Sequence, residues 1–523
     1  EGGLDSIVTN DNATITWGDG NIDVDPMFVD TANGNYHLLA SSMLINAGHP
    51  DSTDSDGTRS DIGAYPYLNT YSGPNWFVSN NGNDTTATGE GPNAFRSIQA
   101  AINFASDGDA VSVSSGNFFE NINFRGRAIT VSGSGGSTID GGANGTVVTF
   151  DSGEDETTVL NGFTIQNGMA FPGYFDSGPF AGGVGGGIIC DGASPVLKNL
   201  IIKNNATPSG SNYGGGIFAK AGNISIENCV VKNNTSDNGS GIWIYGGSGG
   251  SSGSIKNSVI YDNTSGSGSQ NSSLCIASAT GSNASLINSV IYNNNNIGVK
   301  VVDGSTLNII NSIIMNNGGS ADSAQILIGG FPSAPGNVII NHSMISNGQS
   351  VITIEEGGTL VWGSGNIDKN PSFVDAANGD YSLLNYSPAI GAGASSVTIS
   401  DVTYNAPSTD IVGNPRPNPA GSAPDMGAYE SELGTPLPKT IYTVRKDGTG
   451  DYTTIQAAID VVSDGDTVLV YAGTYNENIT IDSKGIAFIS NSGSDSTIID
   501  GGSNGTVLSV KNVFDSVDTI AVV

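Results

Sequence analysis

Short apolar runs recur through the middle of the chain, each bracketed by asparagines. They read LNGFTIQN (160–167), KNLIIKNN (198–205), ENCVVKNN (227–234), KNSVIYDN (256–263), INSVIYNN (287–294), INSIIMNN (310–317) and INHSMISN (340–347). The first asparagine of each falls at Asn161, Asn199, Asn228, Asn257, Asn288, Asn311 and Asn341. A second follows six residues later, at Asn167, Asn205, Asn234, Asn263, Asn294, Asn317 and Asn347. Apolar runs this short, bounded by turn residues, are strand patterns. Copies spaced by 23 to 38 residues predict a solenoid of stacked coils. No single coil can bury its apolar face alone, so Ile must stack over Ile and Val over Val. Asparagine tolerates left-handed turns, and in-register amides form ladders. Both asparagine series are therefore expected to be structural. The glycine column of GGGIICDG (185–192), GGGIFAKA (214–221) and GSGIWIYG (239–246) fits close backbone approach. It lacks the Lys-Ser/Thr of a phosphate loop.

A longer repeat encloses the short one. WGDGNIDVDPMFVDTANGNYHLL (17–39) returns as WGSGNIDKNPSFVDAANGDYSLL (362–384). Likewise FRSIQAAINFASDGDAVSVSSGNFFENINF (95–124) returns as YTTIQAAIDVVSDGDTVLVYAGTYNENITI (452–481). The order is tail, then head, body and tail, then head. Residues 1–67 are expected to be the C-terminal part of one unit, 75–432 a complete unit, and 440–523 the N-terminal part of another. The joints PYLNTYSGP and SELGTPLPKT have linker chemistry. In the head, Ile98, Ala101, Ile102 and Ala105 form the apolar stripe of a short helix. That helix is suited to lid the exposed first coil, and the tail is expected to close the opposite end.

Composition sharpens this picture. The chain has 523 residues, 75 of them Gly, and a net charge of −32. Without basic clusters, nucleic acid is excluded as a partner, and an acidic surface suits a soluble, divalent-rich setting. No apolar run nears the roughly 20 residues of a membrane span. Cys190, Cys229 and Cys275 are too few and too scattered for a disulfide framework. The opening EGGLDSIVTNDN fits a fragment or mature product whose targeting signal lies elsewhere.

The head GTGDYTTIQAAIDVVSDGDTVLVYAGTYNENITI (448–481) resembles the opening of pectin-lyase-like right-handed parallel β-helix proteins, pectin methylesterases among them. The tail GNPRPNPAGSAPDMGAYE (413–430) resembles the closing motif of the choice-of-anchor Q group of bacterial surface proteins. DSDGTRSDIGAYPY (54–67) is a variant of the same ending. The resemblance implies an all-β fold of right-handed parallel β-helix units in tandem, each with a short N-terminal capping helix, at the cell surface or outside the cell.

The catalytic carry-over fails. Pectin methylesterases present two Asp, an Arg and Gln on the body, and residues 160–350 contain no Arg. The body lysines, Lys198, Lys203, Lys220, Lys232, Lys256 and Lys300, read as solvated flanks. Asp191, Asp262 and Asp303 each stand alone in their coils, against the carboxylate pair a glycosidase needs. Calcium is the one cofactor the pattern suggests, through Asp19, Asn21, Asp23 and Asp25 and through Asp51, Asp54, Asp56 and Asp61. Asx-turn chemistry explains the same residues. Trp243, Tyr245, Tyr261 and Tyr292 are candidate glycan-stacking aromatics or flank packing. The expected function is a non-enzymatic extracellular stalk, adhesin or sheath. Its expected partners are neighbouring units of the same long chain and a polysaccharide or cell-surface glycan. The alternative is a polysaccharide lyase or hydrolase acting on acidic glycans.

Overall fold

Short, mostly apolar strands, two to six residues long apart from two longer ones, are separated by sharp corners and wind the chain into a right-handed parallel β-helix with three faces. The computed structural model describes residues 20–511 except 173, 176–179, 181, 209, 211, 248–249, 267–270, 279–280, 320–322, 332, 356 and 483, plus 7, 8, 14–16 and 18. The first face runs from Asn75–Val78 through Asn223–Glu227 and Ser252–Lys256 to Thr359–Trp362. The second includes Ile201–Lys203, Val230–Lys232, Val259–Tyr261, Val290–Tyr292 and Ile313–Met315. The third runs from Ile122–Asn123 through Ile188–Asp191, Ile217–Lys220 and Ile242–Tyr245 to Ile352–Ile354. Two longer strands, Thr130–Asp140 and Val159–Gln166, bend across a corner and serve the first two faces together.

Register makes the core. Leu160, Leu197, Ile226, Ile255, Leu286, Ile309 and Ile340 pair in succession on the first face. Ile165, Ile202, Val231, Ile260, Ile291, Ile314 and Ile345 do so on the second. All fourteen are fully buried. Each such side chain stabilises the stack by about 1.5–3 kcal/mol relative to exposure.

At the N-terminal end, Ile98–Phe104 forms a helix over the first coil, with Ser97 capping it. The Glu120 carboxylate accepts from the Ile98 and Gln99 backbone N–H groups at 2.8 and 3.0 Å. Burial pushes that carboxyl up to about 7. Residues 441–511 repeat the device: Ile441–Val444, Thr467–Val470 and Ala487–Ser490 pair in parallel beside the helix Ile455–Val461. There Glu477 accepts from Ile455 and Gln456, both at 2.9 Å.

The second tail does not close the far end as expected; it turns back along the flank. Phe373, Tyr381, Leu383 and Ile390 pack over Val259, Val290 and Ile313 of the second face. The hairpin Ser396–Ile399 and Val402–Asn405 reaches the first face, where Asn308 Nδ2 donates to the Tyr404 hydroxyl at 3.0 Å. Apolar side chains pointing outward from the middle coils need a cover, and the tail supplies it. The last coil keeps Ile354 and Val361 about half exposed, at 49% and 53%.

Candidate functional site

The asparagine columns come first because the rest of the surface is built on them. Asn199, Asn228, Asn257, Asn288 and Asn311 occupy the corner between the first and second faces, all with φ between 45° and 53°. That left-handed turn disfavours branched residues and suits Asn. Their amides link at 3.1 Å from Asn228 to Asn199, 3.2 Å from Asn257 to Asn228 and 3.1 Å from Asn311 to Asn288. Register shifts the ends of the series. Gly162 and His342 hold the corner positions in the outer coils, φ 79° and 46°. Asn161 and Asn341 are the last strand residues before them. Asn161 still accepts from Asn199 at 2.7 Å.

The inner ladder comprises Asn205, Asn234, Asn263, Asn294 and Asn317, all fully buried. Each Nδ2 donates to the next Oδ1 at 2.8–3.1 Å, and Gln325 Oε1 terminates the run at 2.9 Å. Each Nδ2 also reaches a backbone carbonyl in the coil behind, such as Ile202 O from Asn234 at 2.9 Å. Asn167 and Asn347 instead take the left-handed position before it, φ 57° and 60°. A serine column that the sequence reading missed runs beside the corner. Backbone N–H groups of Cys229, Ser258, Ser289 and Ser312 donate to Ser258, Ser289, Ser312 and Ser343 Oγ, all at 3.1 Å. Its signal was the recurrent Asn-Ser pair of KNSV, INSV and INSI.

The four aromatic candidates separate into two places. Tyr261 and Tyr292 are buried under the second tail, with ring centroids 5.2 and 5.3 Å from Tyr381. They are packing residues, not an outer stacking surface. Trp243 is also buried, on the third face beside Phe218, Phe180 and Tyr213, and its Nε1 has no partner among the described residues. Tyr245 lies half-buried at the margin of that cluster, 4.9 Å from the Phe180 ring. Next to it Lys220 Nζ pairs with Asp191 at 3.0 Å and lies 4.2 Å over the Phe175 ring. This pair neutralises the Asp191 carboxylate at the end of the strand Ile188–Asp191. Asp262, on another face, accepts from Asn293 Nδ2 at 2.7 Å.

Of the calcium candidates, Asp19 lies outside the described residues. Asn21 Nδ2 donates to Gly18 O at 2.9 Å, and Asp25 accepts from the Met27 N–H at 2.9 Å. Asp23 makes a contact of its own, and Asp51 is exposed beside His49. Asp54, Asp56 and Asp61 spend their oxygens on backbone N–H groups of Asp61, Asn69 and Tyr67 at 3.0, 2.9 and 2.7 Å. Among the described residues no three Asp, Glu, His or Cys side chains gather into a metal-binding group. Cys190, Cys229 and Cys275 are buried free thiols; burial pushes the latter two up to about 12, so they are inert.

The polar chemistry that positions the second tail escaped the sequence reading. Arg416 and Glu430 form a fully buried ion pair at 2.7 Å. Arg416 Nη1 also donates to Asn257 Oδ1, and Asn257 Nδ2 donates to Thr409 O at 2.7 Å. Ala394 and Asn311 exchange two bonds of 2.8 and 2.7 Å. The corner ladder is thus also the tail's docking rail.

No curated protein sequence gives a significant match. Among solved structures the chain is similar to pectate lyase Pel9A, at 16% identity over 68% of this chain and 96% of that one, with a TM-score of 0.35. It is also similar to a pectin methylesterase variant in complex with a hexasaccharide, at 15% identity over 53% and 80%, TM-score 0.28. A pectin methylesterase from Aspergillus niger gives 11% identity over 58% and 89%, TM-score 0.30. Residues 186–376 match the model of the right-handed β-helix region, the stretch that carries both asparagine ladders.

Proposed function

We propose that this chain is a non-enzymatic, extracellular array of β-helix units acting as a stalk or adhesin, with a choice-of-anchor Q type ending on each unit. One observation carries the reading: the body's amide and serine columns and its ion pairs are spent on neighbouring coils and on the docked tail. Both amide ladders, the serine column, the Arg416–Glu430 pair and the Lys220–Asp191 pair are internal. Such wiring yields a stiff rod, and a tandem of rods raises the effective concentration of any weak contact along it.

The test is a product-release assay on a panel of neutral and acidic polysaccharides, with and without added calcium. The expected result is no release of reducing ends or unsaturated uronate. Sustained turnover on any substrate overturns the proposal in favour of a lyase or hydrolase.

A further inference from the structure

A groove of about 550 Å³ lies where the first tail meets the first head. That size suits a small ligand or a few sugar rings. Its walls come from Met27, Leu39 and Met43 of the tail and from the strand Gly116–Phe119 of the head. Strand alternation turns Phe118 into the core and Phe119 outward, where the phenyl is 75% exposed. Strand geometry thus presents one open aromatic face at the groove, a surface on which a flat apolar group can stack.

Around that phenyl stand polar groups that the fold does not use. The Arg96 backbone N–H donates to Asp84 at 2.8 Å, while its guanidinium makes no bond among the described residues. The carboxamides of Asn80, Asn117 and Asn144 line the same groove, exposed and uncommitted. The groove's two acids are, by contrast, occupied. Asp84 also holds the Ser97 N–H at 3.2 Å, and Glu120 holds the helix start described above.

The second head is an internal control. It keeps the framework: Gln456, Glu477 and Asn478 repeat the bonds of Gln99, Glu120 and Asn121. It discards four of the groove's five free groups, since Asn80, Arg96, Asn117 and Phe119 become Lys446, Thr453, Thr474 and Asn476, and keeps one, Asn144, as Asn504. The residues that bond the framework persist, whereas the aromatic and cationic groups that face the groove do not.

We infer that this groove binds an oligosaccharide carrying carboxylates, stacking a sugar face on Phe119 and pairing a uronate with Arg96. Exposed aromatic rings take the apolar face of a pyranose. A guanidinium matches a carboxylate in bidentate geometry, which an ammonium does not. The three carboxamides supply donors and acceptors for ring hydroxyls. This binding is separate from the non-enzymatic reading, because it is scored by association and not by product.

The full chain is titrated calorimetrically with a 1,4-linked uronic acid tetrasaccharide and with its carboxyl-reduced, neutral counterpart. Saturable one-site binding of the acidic sugar is expected, with the neutral sugar about tenfold or more weaker. Phe119→Ala is expected to weaken both. Arg96→Gln is expected to weaken only the acidic one and so to erase the difference. Neither side chain holds the fold together, and unchanged thermal unfolding verifies that. No saturable binding, equal affinity for both sugars, or full affinity in the Phe119→Ala, Arg96→Gln double variant each overturns the inference.

Discussion

The two tails begin with nearly the same words and end up on different partners. Both close on one device, an aspartate that staples two backbone segments. Asp61 accepts from Asn46 and Tyr67 N–H at 2.8 and 2.7 Å, and Asp425 accepts from Gly391 and Ser431 N–H, both at 2.7 Å. Beyond that they diverge. The second tail adds Arg416 and Glu430 and threads the guanidinium onto the corner ladder. The first has Ser60 and Pro66 at the matching places and packs instead against the helix Ile98–Phe104. There Asn103 Nδ2 donates to Ala40 O and Ser42 O, both at 2.9 Å. Arg125 fixes the amide, donating to Asn103 Oδ1 at 2.7 Å and to Ile45 O at 3.0 Å. In the second head those residues are Asp460 and Asp482, which have no donors to offer a carbonyl, and Asp460 is exposed. The tail is a fixed cassette, and a handful of donors on the receiving surface decides where it docks.

Removing Arg416 should break the comparison most severely. Arg416→Ala leaves the Glu430 carboxylate buried and unpaired, at a cost of about 3–5 kcal/mol. Hydrogen exchange should show residues 385–434 losing protection while the inner ladder keeps it. If the tail stays protected, the ion pair is not what holds it.

Acidity should move the second tail in the same experiment. Burial raises the Asp425 carboxyl to about 6, against about 4 when unfolded. A raised carboxyl contributes stability that is fully present below about pH 4 and is lost as pH rises through about 6. Protection of residues 385–434 should therefore strengthen between pH 6 and pH 4, by on the order of 2–3 kcal/mol. Asp425→Asn should flatten the profile; a profile that rises with pH contradicts the assignment.

Asn103→Asp should release the first tail by about 1–3 kcal/mol, since two buried carbonyls lose their donor. Limited proteolysis would detect this as faster cleavage within residues 20–67, with the second tail unaffected. The two asparagine ladders should separate more finely. Asn263→Ala in the inner ladder should cost about 1–3 kcal/mol by orphaning buried groups, whereas Asn199→Ala on the exposed corner should cost under about 1 kcal/mol. Thermal unfolding of the two variants side by side decides it.

Legibility in the sequence followed periodicity. The coils and the head helices were readable because an apolar residue must recur wherever a coil stacks on another, whereas the three faces of each coil emerged only from the structure. The amide columns were readable for the same reason, except at Asn161, Asn167, Asn341 and Asn347. There the letters matched but the chain had shifted by one residue, and Gly162, Gly168, His342 and Gly348 took the stacked positions. Tyr261, Tyr292 and Trp243 looked like a surface because strand alternation points them out of the β-helix. What covers the two tyrosines arrives from 120 and 89 residues further along the chain, at Tyr381.

By itself the sequence determined that this chain repeats, that the repeat is a strand-bearing coil, and that amides line its corners. Those are local consequences of spacing, side-chain polarity and left-handed turns. Only the tertiary structure decided that the second tail folds back along the flank, that Arg416 enters the corner ladder at Asn257, and that Phe119 and Arg96 open onto one groove. These depend on contacts between segments far apart in the chain, and no periodic pattern encodes which aperiodic segment will meet which coil.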